Sequence, residues 1–597
     1  MSTLHQKRIL LFTHYNWRAE LSEHVLYTLR CIQPLFDILV VISNSPLSAH
    51  DHARLLCLTD HVLIRANDGF DFGAWKAGLD TIGWDAVRQA DSLTLMNDSC
   101  FGPLFELEPL YRRMQEQGVD FWGLTNHRGS RIRIRWRIHS IPNHLQSYFL
   151  VFHRPILQSP VFYAFWRKVD SCDDIWDVII RYEVTLTRTL CQAGFSCAPV
   201  IDTIQAKSGN ANWSHYHPDR LLASSVPFIK IKSIPLFFTP RALIEDIRAR
   251  SVYPTALLED YFHRYYRPDI SLLVTDAVVR PSPAGTPCTP IKTALHLHVR
   301  DLDALLPILA NGALWAKPMD VYVSVPDSVP CSQVNTAMQR IAPEITVKEV
   351  LSYREHDHPF VVHAARFETY EVVGYIPIGD RQEPDAAAHH RALRSTLLEP
   401  SAQWRALFAS DPGIGLVCAD QPALVLRHPS SPGVAEDLAF MKNALRGICS
   451  TRRLDAADLE SFVGPYGSAF WYRPDALAPM LEWLRIHTDA VRGKRTTNAL
   501  RLLPIYSAWM QGYRFRIISV ANSASPSVCH QQTIVDMVER LTRAHLPHAI
   551  QHHIARCLRR FWRHRAEAFP GEAYEMRQNG LSIGTPLITR GRHKKES

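Results

Sequence analysis

Residues able to do chemistry crowd into a few short stretches among the first 240 positions of this 597-residue chain. The stretch RANDGFDFGAWKAGLD (Arg65–Asp80) packs Asn67, Asp68, Gly69, Asp71 and Gly73 between a strand pattern and a helix start. Such turn-formers serve either a plain turn or a loop whose backbone, free of a Cβ at Gly69 and Gly73, comes close to a polar ligand. In NDSCFGP (Asn97–Pro103), Asn97, Asp98 and Ser99 follow the apolar run SLTLM. Asp98 is able to ligate a hard cation, which takes carboxylate and phosphate oxygens, with Asn97 or Ser99 bonding a sugar or phosphate. The simpler reading is an Asx-turn closing a strand. RYEVTLTRTLCQAGF (Arg181–Phe195) reads as a helix ended by Gly194, with Glu183 near its start. There Glu183 is either a first-turn glutamate favoured by the helix dipole or, facing a cleft, a base for an attacking hydroxyl. In RIRIRWRIH, Arg131, Arg133, Arg135 and Arg137 alternate with apolar residues, so one extended strand would line four guanidinium groups along a single face. That stripe suits phosphates or guards a sheet edge. Nucleic acid is a third option, but no nucleic-acid module or aromatic ladder accompanies it.

These residues need elements to hold them. Arg8–Thr13 and Ile38–Ile42 have the continuous apolar character of buried strands, and His61–Ile64 and Ser92–Met96 read as a third and a fourth strand. Leu21, Val25, Leu29 and Ile32 recur at helical spacing between the first two. Alternation of strands and helices implies right-handed βαβ units and a mainly parallel sheet, whose ligands bind beyond the strand carboxyl ends. The Asn67–Gly73 and Asn97–Ser99 segments both fall there.

The Pro-rich run VRPSPAGTPCTP (Val279–Pro290) reads as an exposed linker. Beyond it, TALHLHV and VYVSV echo the first two strands, so a second α/β domain is expected over 291–515, either an old duplication or an unrelated fold. Residues 516–597 read as helical and basic. There, Ile550, Ile554, Cys557, Leu558 and Phe561 share one face among Arg556, Arg559, Arg560, Arg563 and Arg565. That face suits an anionic membrane surface or the protein's own core. The pair His552-His553 has no partner at metal-ligand spacing and reads as surface.

Composition narrows the class. A chain of this length exceeds one core, and a net charge of +8 suits anionic substrates or an anionic membrane without demanding nucleic acid. Twelve scattered cysteines with no CxxC pair fit reduced thiols in the cytoplasm. The amino terminus lacks a signal-peptide pattern, and no apolar run reaches the roughly 18 residues of a spanning helix. GxxxxGK[ST], GxGxxG after a strand, HExxH and GxSxG are all absent from the sequence.

Several motifs in order, Asn67–Gly73, Asn97–Pro103, His144–Phe149, Tyr182-Glu183 and Val226–Lys230, resemble the rhamnan synthesis protein F family of bacterial polysaccharide-assembly proteins. The resemblance continues in Asp411–Gly415 and Gly467–Pro474. It implies a GT-A-like Rossmann-type nucleotide-sugar domain over 1–250, a connecting segment and linker over 251–290, and a divergent glycosyltransferase-like domain over 291–515. The implied activity is glycosyl transfer, rhamnosyl by the family's name, into O-antigen, capsule or cell-wall rhamnan at the inner face of the cytoplasmic membrane. The alternative is a non-catalytic assembly or carbohydrate-binding protein that keeps the fold. In the inverting GT-A class a Glu-Asp pair precedes a helix ending in glycine, and its Asp is the base; that pattern lays Tyr182 on the Glu and Glu183 on the Asp. It also implies donor contacts from Asn67, Asp68, Gly69, Asp71, Gly73, Asn97 and Ser99. Asp98 would meet a divalent cation (Mg²⁺ or Mn²⁺), standing where the class has a DxD. Phosphate or acceptor contacts would come from Arg131, Arg133, Arg135, Arg137, His144 and Gln146. The donor would be dTDP-rhamnose or similar and the acceptor a lipid-linked polysaccharide. REHDHPF and YIPIGDRQ lack the basic cluster that related second domains carry, so the chemistry is expected in the first domain.

Overall fold

The computed structural model describes residues 6–518, except 135–136, 206–211, 238–239, 276, 280–290, 306–308, 310–318, 344, 355–356, 380–396, 399–403, 420–433, 449–462, 465–467, 488–499 and 501–502. The linker residues 280–290, Arg135, the last residues of YIPIGDRQ and the basic carboxy-terminal segment with its His pair therefore lie outside the described residues. One compact unit runs through Ala277 and a second begins at Val278.

In the first unit the strands are β1 (Arg8–His14), β2 (Ile38–Ser43), β3 (His61–Ile64), β4 (Ser92–Asn97), β5 (Cys100–Phe101), β6 (Phe121–His127), β7 (Ser130–Ile134), β8 (Arg137–Ile141), β9 (His144–Leu145), β10 (Phe149–His153), β11 (Cys197–Ile201) and β12 (Ile229–Lys230). The main sheet has the order β11-β6-β10-β4-β1-β2-β3, with β9 on β6. All its pairings are parallel except those of β9 and β10. The four predicted strands are present within a residue at either end. Ile9 and Leu11 of β1 enter one core cluster while Leu10 and Phe12 enter another, so the sheet is covered on both faces. The helix Glu23–Ile32 covers one face with Val25, Leu26, Leu29 and Ile32. The helix Phe70–Ile82 covers the other with Phe72, Trp75 and Leu79. Burial of side chains this large supplies the main stabilisation, about 1.5–3 kcal/mol for each Leu, Val, Ile or Phe.

The structure changes three expectations. Helices Pro240–Arg250, Ala256–Tyr265 and Pro268–Val274 join Phe101, Leu104, Ile229 and Ile231 in one apolar cluster, so the first unit extends well past residue 250. Residues 131–139 are not one strand: β7 and β8 form an antiparallel hairpin that sets Arg131 opposite Ser140, Arg133 opposite Ile138 and Arg137 opposite Ile134. The stripe is therefore split between two antiparallel strands and does not lie along one extended strand. Finally, residues 514–518 are strand rather than the start of a helical tail.

The second unit contains β13 (Val278–Val279), β14 (Thr293–Val299), β15 (Asp320–Pro326), β16 (Val347–Tyr353), β17 (Val372–Ile378), β18 (Ile414–Ala419), β19 (Phe470–Tyr472) and β20 (Arg514–Ile518). Its order is β13-β20-β18-β19-β17-β14-β15-β16, and β19 alone runs antiparallel to both neighbours. Apart from the added β13, this is the topology of the first sheet, with β14 in the place of β1 and β19 in the place of β10. The topology favours duplication over an unrelated fold. The segments Asp411–Gly415 and Gly467–Pro474 serve packing here. Asp411 pairs with Arg514 at 2.7 Å, and Trp471 stacks on Trp404 with ring centres 3.6 Å apart.

A Cβ on Gly73 would lie 2.3 Å from the Asp68 carbonyl oxygen. An ordinary helical Gly→Ala change stabilises by up to about 1 kcal/mol; here the clash reverses the sign. Gly73→Ala is expected to destabilise the first unit by about 1–3 kcal/mol, read by denaturant unfolding. A stabilised variant would contradict this packing.

Candidate functional site

Parallel strands β1, β2, β3, β4 and β6 deliver their carboxyl ends to one edge of the first sheet, and the predicted site residues converge there. Asp98 follows β4. Its amide donates to the Thr13 carbonyl at 3.1 Å, and its Oδ2 accepts from the Tyr15 amide at 2.8 Å. Asn97 donates to Asp71 Oδ2 at 2.7 Å, while its own Oδ1 accepts from the Ser99 amide and hydroxyl at 3.2 and 2.6 Å. The Asx-turn thus belongs to Asn97 and leaves the Asp98 carboxylate recessed but reachable by solvent.

The Asn67–Gly73 segment is braced from within. Gly69, at φ +68°, caps the helix Phe70–Ile82, and Phe70 has φ +50°, uncommon for a residue with a Cβ. Asp68 Oδ1 accepts from the Ser171 hydroxyl at 2.6 Å and the Cys172 amide at 3.2 Å, while the Gly69 amide donates to the Cys172 carbonyl at 3.1 Å. Arg65 spans Asn44 Oδ1 and the Asp68 carbonyl, each at 2.7 Å. Close approach within the protein therefore explains Gly73, and Asp68 ties the loop to the chain that leads into the Glu183 helix. Asp71 alone of the segment's carboxylates turns toward Asn97.

Glu183 is not near a helix start. A continuous helical run begins at Ile175, passes through a π turn at Ile179–Glu183 and continues as α-helix over Val184–Gln192. Such π turns are frequent at functional sites. Its end follows the expected chemistry, with Gly194 at φ +94° just beyond the cap. Tyr182 turns into the core against Phe72, while Glu183 Oε1 accepts from the Ser147 amide at 3.2 Å and hydroxyl at 2.9 Å. Gln146 is a buried brace: its Oε1 accepts from Thr125 and Ser214 at 2.6 and 2.7 Å, and its Nε2 donates to Asn212 at 3.1 Å. His144 stacks on His127 with ring centres 5.0 Å apart. Lys230, which closes the Val226–Lys230 motif, also stands in this region with His127 and His215, which no motif spacing marks in the sequence.

Electrostatics join the three acids. Burial raises the Asp71 carboxyl to about 6 against the relief given by Asn97, and Glu183 adds repulsion. Burial raises Asp98 to about 8, opposed by the Tyr15 amide and reinforced by Asp71. Asp71 therefore sits within electrostatic reach of both Asp98 and Glu183. No ion pair reaches Asp98 among the described residues, so the site is short of positive charge, as a cation-binding carboxylate would be. No group of three or more His, Cys, Asp or Glu among the described residues is arranged to hold a metal by itself. A cation at Asp98 would draw its remaining ligands from substrate phosphates and water, the habit of Mg²⁺.

The second unit departs at the same place. After β17 comes Gly379, at φ +83°, where the first unit has Asp98 after β4. His298 is fixed between Tyr375 and Tyr353 hydroxyls at 2.8 and 2.9 Å, and His358 and Phe360 pack against Tyr375. Among the described residues, an aromatic and imidazole cluster stands near these strand ends, and Asp301, just beyond β14, packs against Gly379.

Because the folded-state value of Asp98 lies above the ordinary 3.8, the folded state binds the proton more tightly. The stability this contributes is complete at low pH and is lost as pH rises through about 8. In chelator-treated protein, Asp98→Asn is expected to melt above wild type at pH 9 and to show a smaller gain at pH 5. Each kcal/mol recovered would shift the midpoint by roughly 2–4 °C for a unit of this size. Equal shifts at both pH values would refute the desolvation account.

Comparison with known proteins places this architecture. An uncharacterized protein, y4gN, of Sinorhizobium fredii (strain NBRC 101917 / NGR234) is 30% identical over 156 residues, 26% of this chain. The match spans only 39% of that relative's length. Among solved structures, glucosyl-3-phosphoglycerate synthase from Mycobacterium tuberculosis, with Mn²⁺, UDP-glucose and phosphoglyceric acid, is 10% identical at a TM-score of 0.21. It covers 43% of this chain and 81% of its own. TarS 1–349 of S. aureus is 12% identical at a TM-score of 0.19, covering 47% and 74%. HddC from Yersinia pseudotuberculosis is 10% identical at 0.17, covering 28% and 87%. Likeness at this level carries no functional information. The family described as rhamnan synthesis protein F, in contrast, matches residues 39–501, most of the chain in both units, and this protein belongs to that family.

Proposed function

We propose that the first unit is a glycosyltransferase of GT-A type that moves a sugar from a nucleotide-sugar to a surface polysaccharide with inversion. Family membership and the gathering of Asp71, Asp98 and Glu183 at one sheet edge support this reading. The carrying observation is the placement of Glu183: one carboxylate oxygen is held by Ser147, and no hydrogen bond reaches Oε2 among the described residues. An acceptor hydroxyl would give its proton to that oxygen as the new C–O bond forms. The bond from the anomeric carbon to the diphosphate would break with its electron pair leaving on phosphate. A divalent cation, Mg²⁺ or Mn²⁺, held by Asp98 and donor phosphates would supply charge stabilisation to that leaving group. Asp71, kept by Asn97, would face donor hydroxyls, and Ser99 lies beside it. Rhamnose is the sugar that the family description favours, with dTDP-rhamnose as donor and a lipid-linked polysaccharide as acceptor at the inner membrane face. No helix among the described residues is long and apolar enough to cross a membrane. Arg131 and Arg133, in the strand β7, would meet phosphates of donor or carrier. The second unit, with Gly379 after β17, would be inactive or work on a different substrate.

Purified protein offered a panel of dTDP-, UDP- and GDP-sugars is expected to consume one of them. Glu183→Gln and Asp98→Asn should each lower turnover by about 10²–10⁴-fold. Variants that match wild-type turnover would remove both residues from the mechanism, and the absence of any nucleotide-sugar consumption or thermal protection would favour a non-catalytic assembly role.

A further inference from the structure

Lys230 is a recessed cation with no ion pair among the described residues. It ends β12, which pairs antiparallel with β5 so that Lys230 lies opposite Cys100, two residues beyond Asp98. The Ile231 amide donates to the Ser99 carbonyl at 2.9 Å and holds this register. The Lys230 ammonium stands 4.6 Å from the centre of the Tyr148 ring. No hydrogen bond or ion pair reaches it among the described residues, and burial acts against its charge. A cation–π contact returns about 0.5–2 kcal/mol, less than the several kcal/mol that desolvating an ammonium costs.

Two imidazoles share the field of that charge. His127 ends β6, and His215 lies in the short helix Trp213–Tyr216. Each has a buried Nδ1 with no hydrogen-bond partner among the described residues, and each is held neutral by burial with Lys230 adding to the effect. His127 is fixed against His144, whose Nδ1 bonds the Pro142 carbonyl at 2.8 Å. A neutral imidazole can present an Nδ1–H donor. One ammonium and two imidazoles with unspent donors call for a ligand with several anionic oxygens, which a phosphate has and a neutral sugar lacks. Glu183 lies within reach of the same field, so such a ligand would sit beside the proposed base.

We propose that Lys230, His127 and His215 form a phosphate-binding site that receives the diphosphate of the nucleotide donor, an assignment of ligand that rests on the donor-binding reading above. The phosphate of a lipid carrier shares this chemistry, and the experiment separates the two. Full-length protein is titrated calorimetrically with inorganic pyrophosphate, with UDP, dTDP and GDP, and with farnesyl phosphate in detergent. Lys230→Met keeps a stem over Tyr148 and is expected to weaken pyrophosphate binding by about tenfold or more, with Lys230→Arg restoring most of it. Nucleoside diphosphates should compete with pyrophosphate, and farnesyl phosphate should not. In wild type, saturating pyrophosphate should protect Lys230 from acetic anhydride, read by peptide mass spectrometry. This readout holds even if Lys230→Met fails to fold. Unchanged affinity in Lys230→Met, or an unprotected Lys230, overturns the site. Competition by farnesyl phosphate alone overturns the donor assignment. Wild-type turnover of a nucleotide-sugar with unaltered KM in Lys230→Met would sink this inference and leave the enzymatic reading standing. Lys230-dependent pyrophosphate binding without any turnover would do the reverse.

Discussion

The Tyr15 amide donates to the Asp98 carboxylate at 2.8 Å, and the Asp98 amide donates back to the Thr13 carbonyl. This reciprocal pair ties together the ends of β1 and β4, two central strands whose interiors are buried and mostly apolar. Because their register is locked by burial on both faces, the end of the pair is a fixed point in the molecule. Asp98 is held there at an electrostatic cost, since burial and Asp71 both disfavour its charge. A carboxylate kept in such a place, with no ion pair among the described residues, is costly to leave charged.

Around that point the acids are arranged by different parts of the chain. The Asn97–Asp71 bond links β4 to the helix Phe70–Ile82, Asp68 links the same helix start to Ser171 and Cys172, and Ser147 holds Glu183 at its π turn. Four separated segments thus meet through hydrogen bonds that are mostly internal to the frame. Several polar residues of the site are consumed in building it, Asp68, Asn97 and Gln146 above all. Asp71, Asp98 and Glu183 retain the capacity to meet a ligand, with Lys230 supplying the opposite charge nearby.

Repetition of one sheet topology in both units separates what the fold requires from what the chemistry requires. The second sheet keeps the strand order and the single reversed strand, yet has Gly379 just after β17 and gathers His298, Tyr375, Tyr353 and His358 near the strand ends. The carboxylates of the first unit are therefore no necessity of the architecture. A cluster of neutral, mutually bonded rings satisfies the same place at lower electrostatic cost.

The buried strands β1, β2 and β4, their alternation with helices and the position of a site at their carboxyl ends were legible in the linear chain. Continuous apolar runs and turn-formers act locally, and backbone sterics and burial leave them few alternatives. Asp71, Asp98 and Glu183 were recognisable as candidates for the same reason, through residue type and the strand or helix beside each. Their company was decided by tertiary structure: Asp68 turned inward to Ser171, Gln146 became a brace, the arginine stripe folded back as a hairpin, and Glu183 moved from a helix start to a π turn. Lys230 was marked only as the last residue of the Val226–Lys230 motif, and His127 and His215 carried no signal, because a lone lysine or histidine acquires its role only from unpaired neighbours distant in sequence. Periodicity reports which face a residue prefers; charge pairing and desolvation depend on distances that only the folded chain creates.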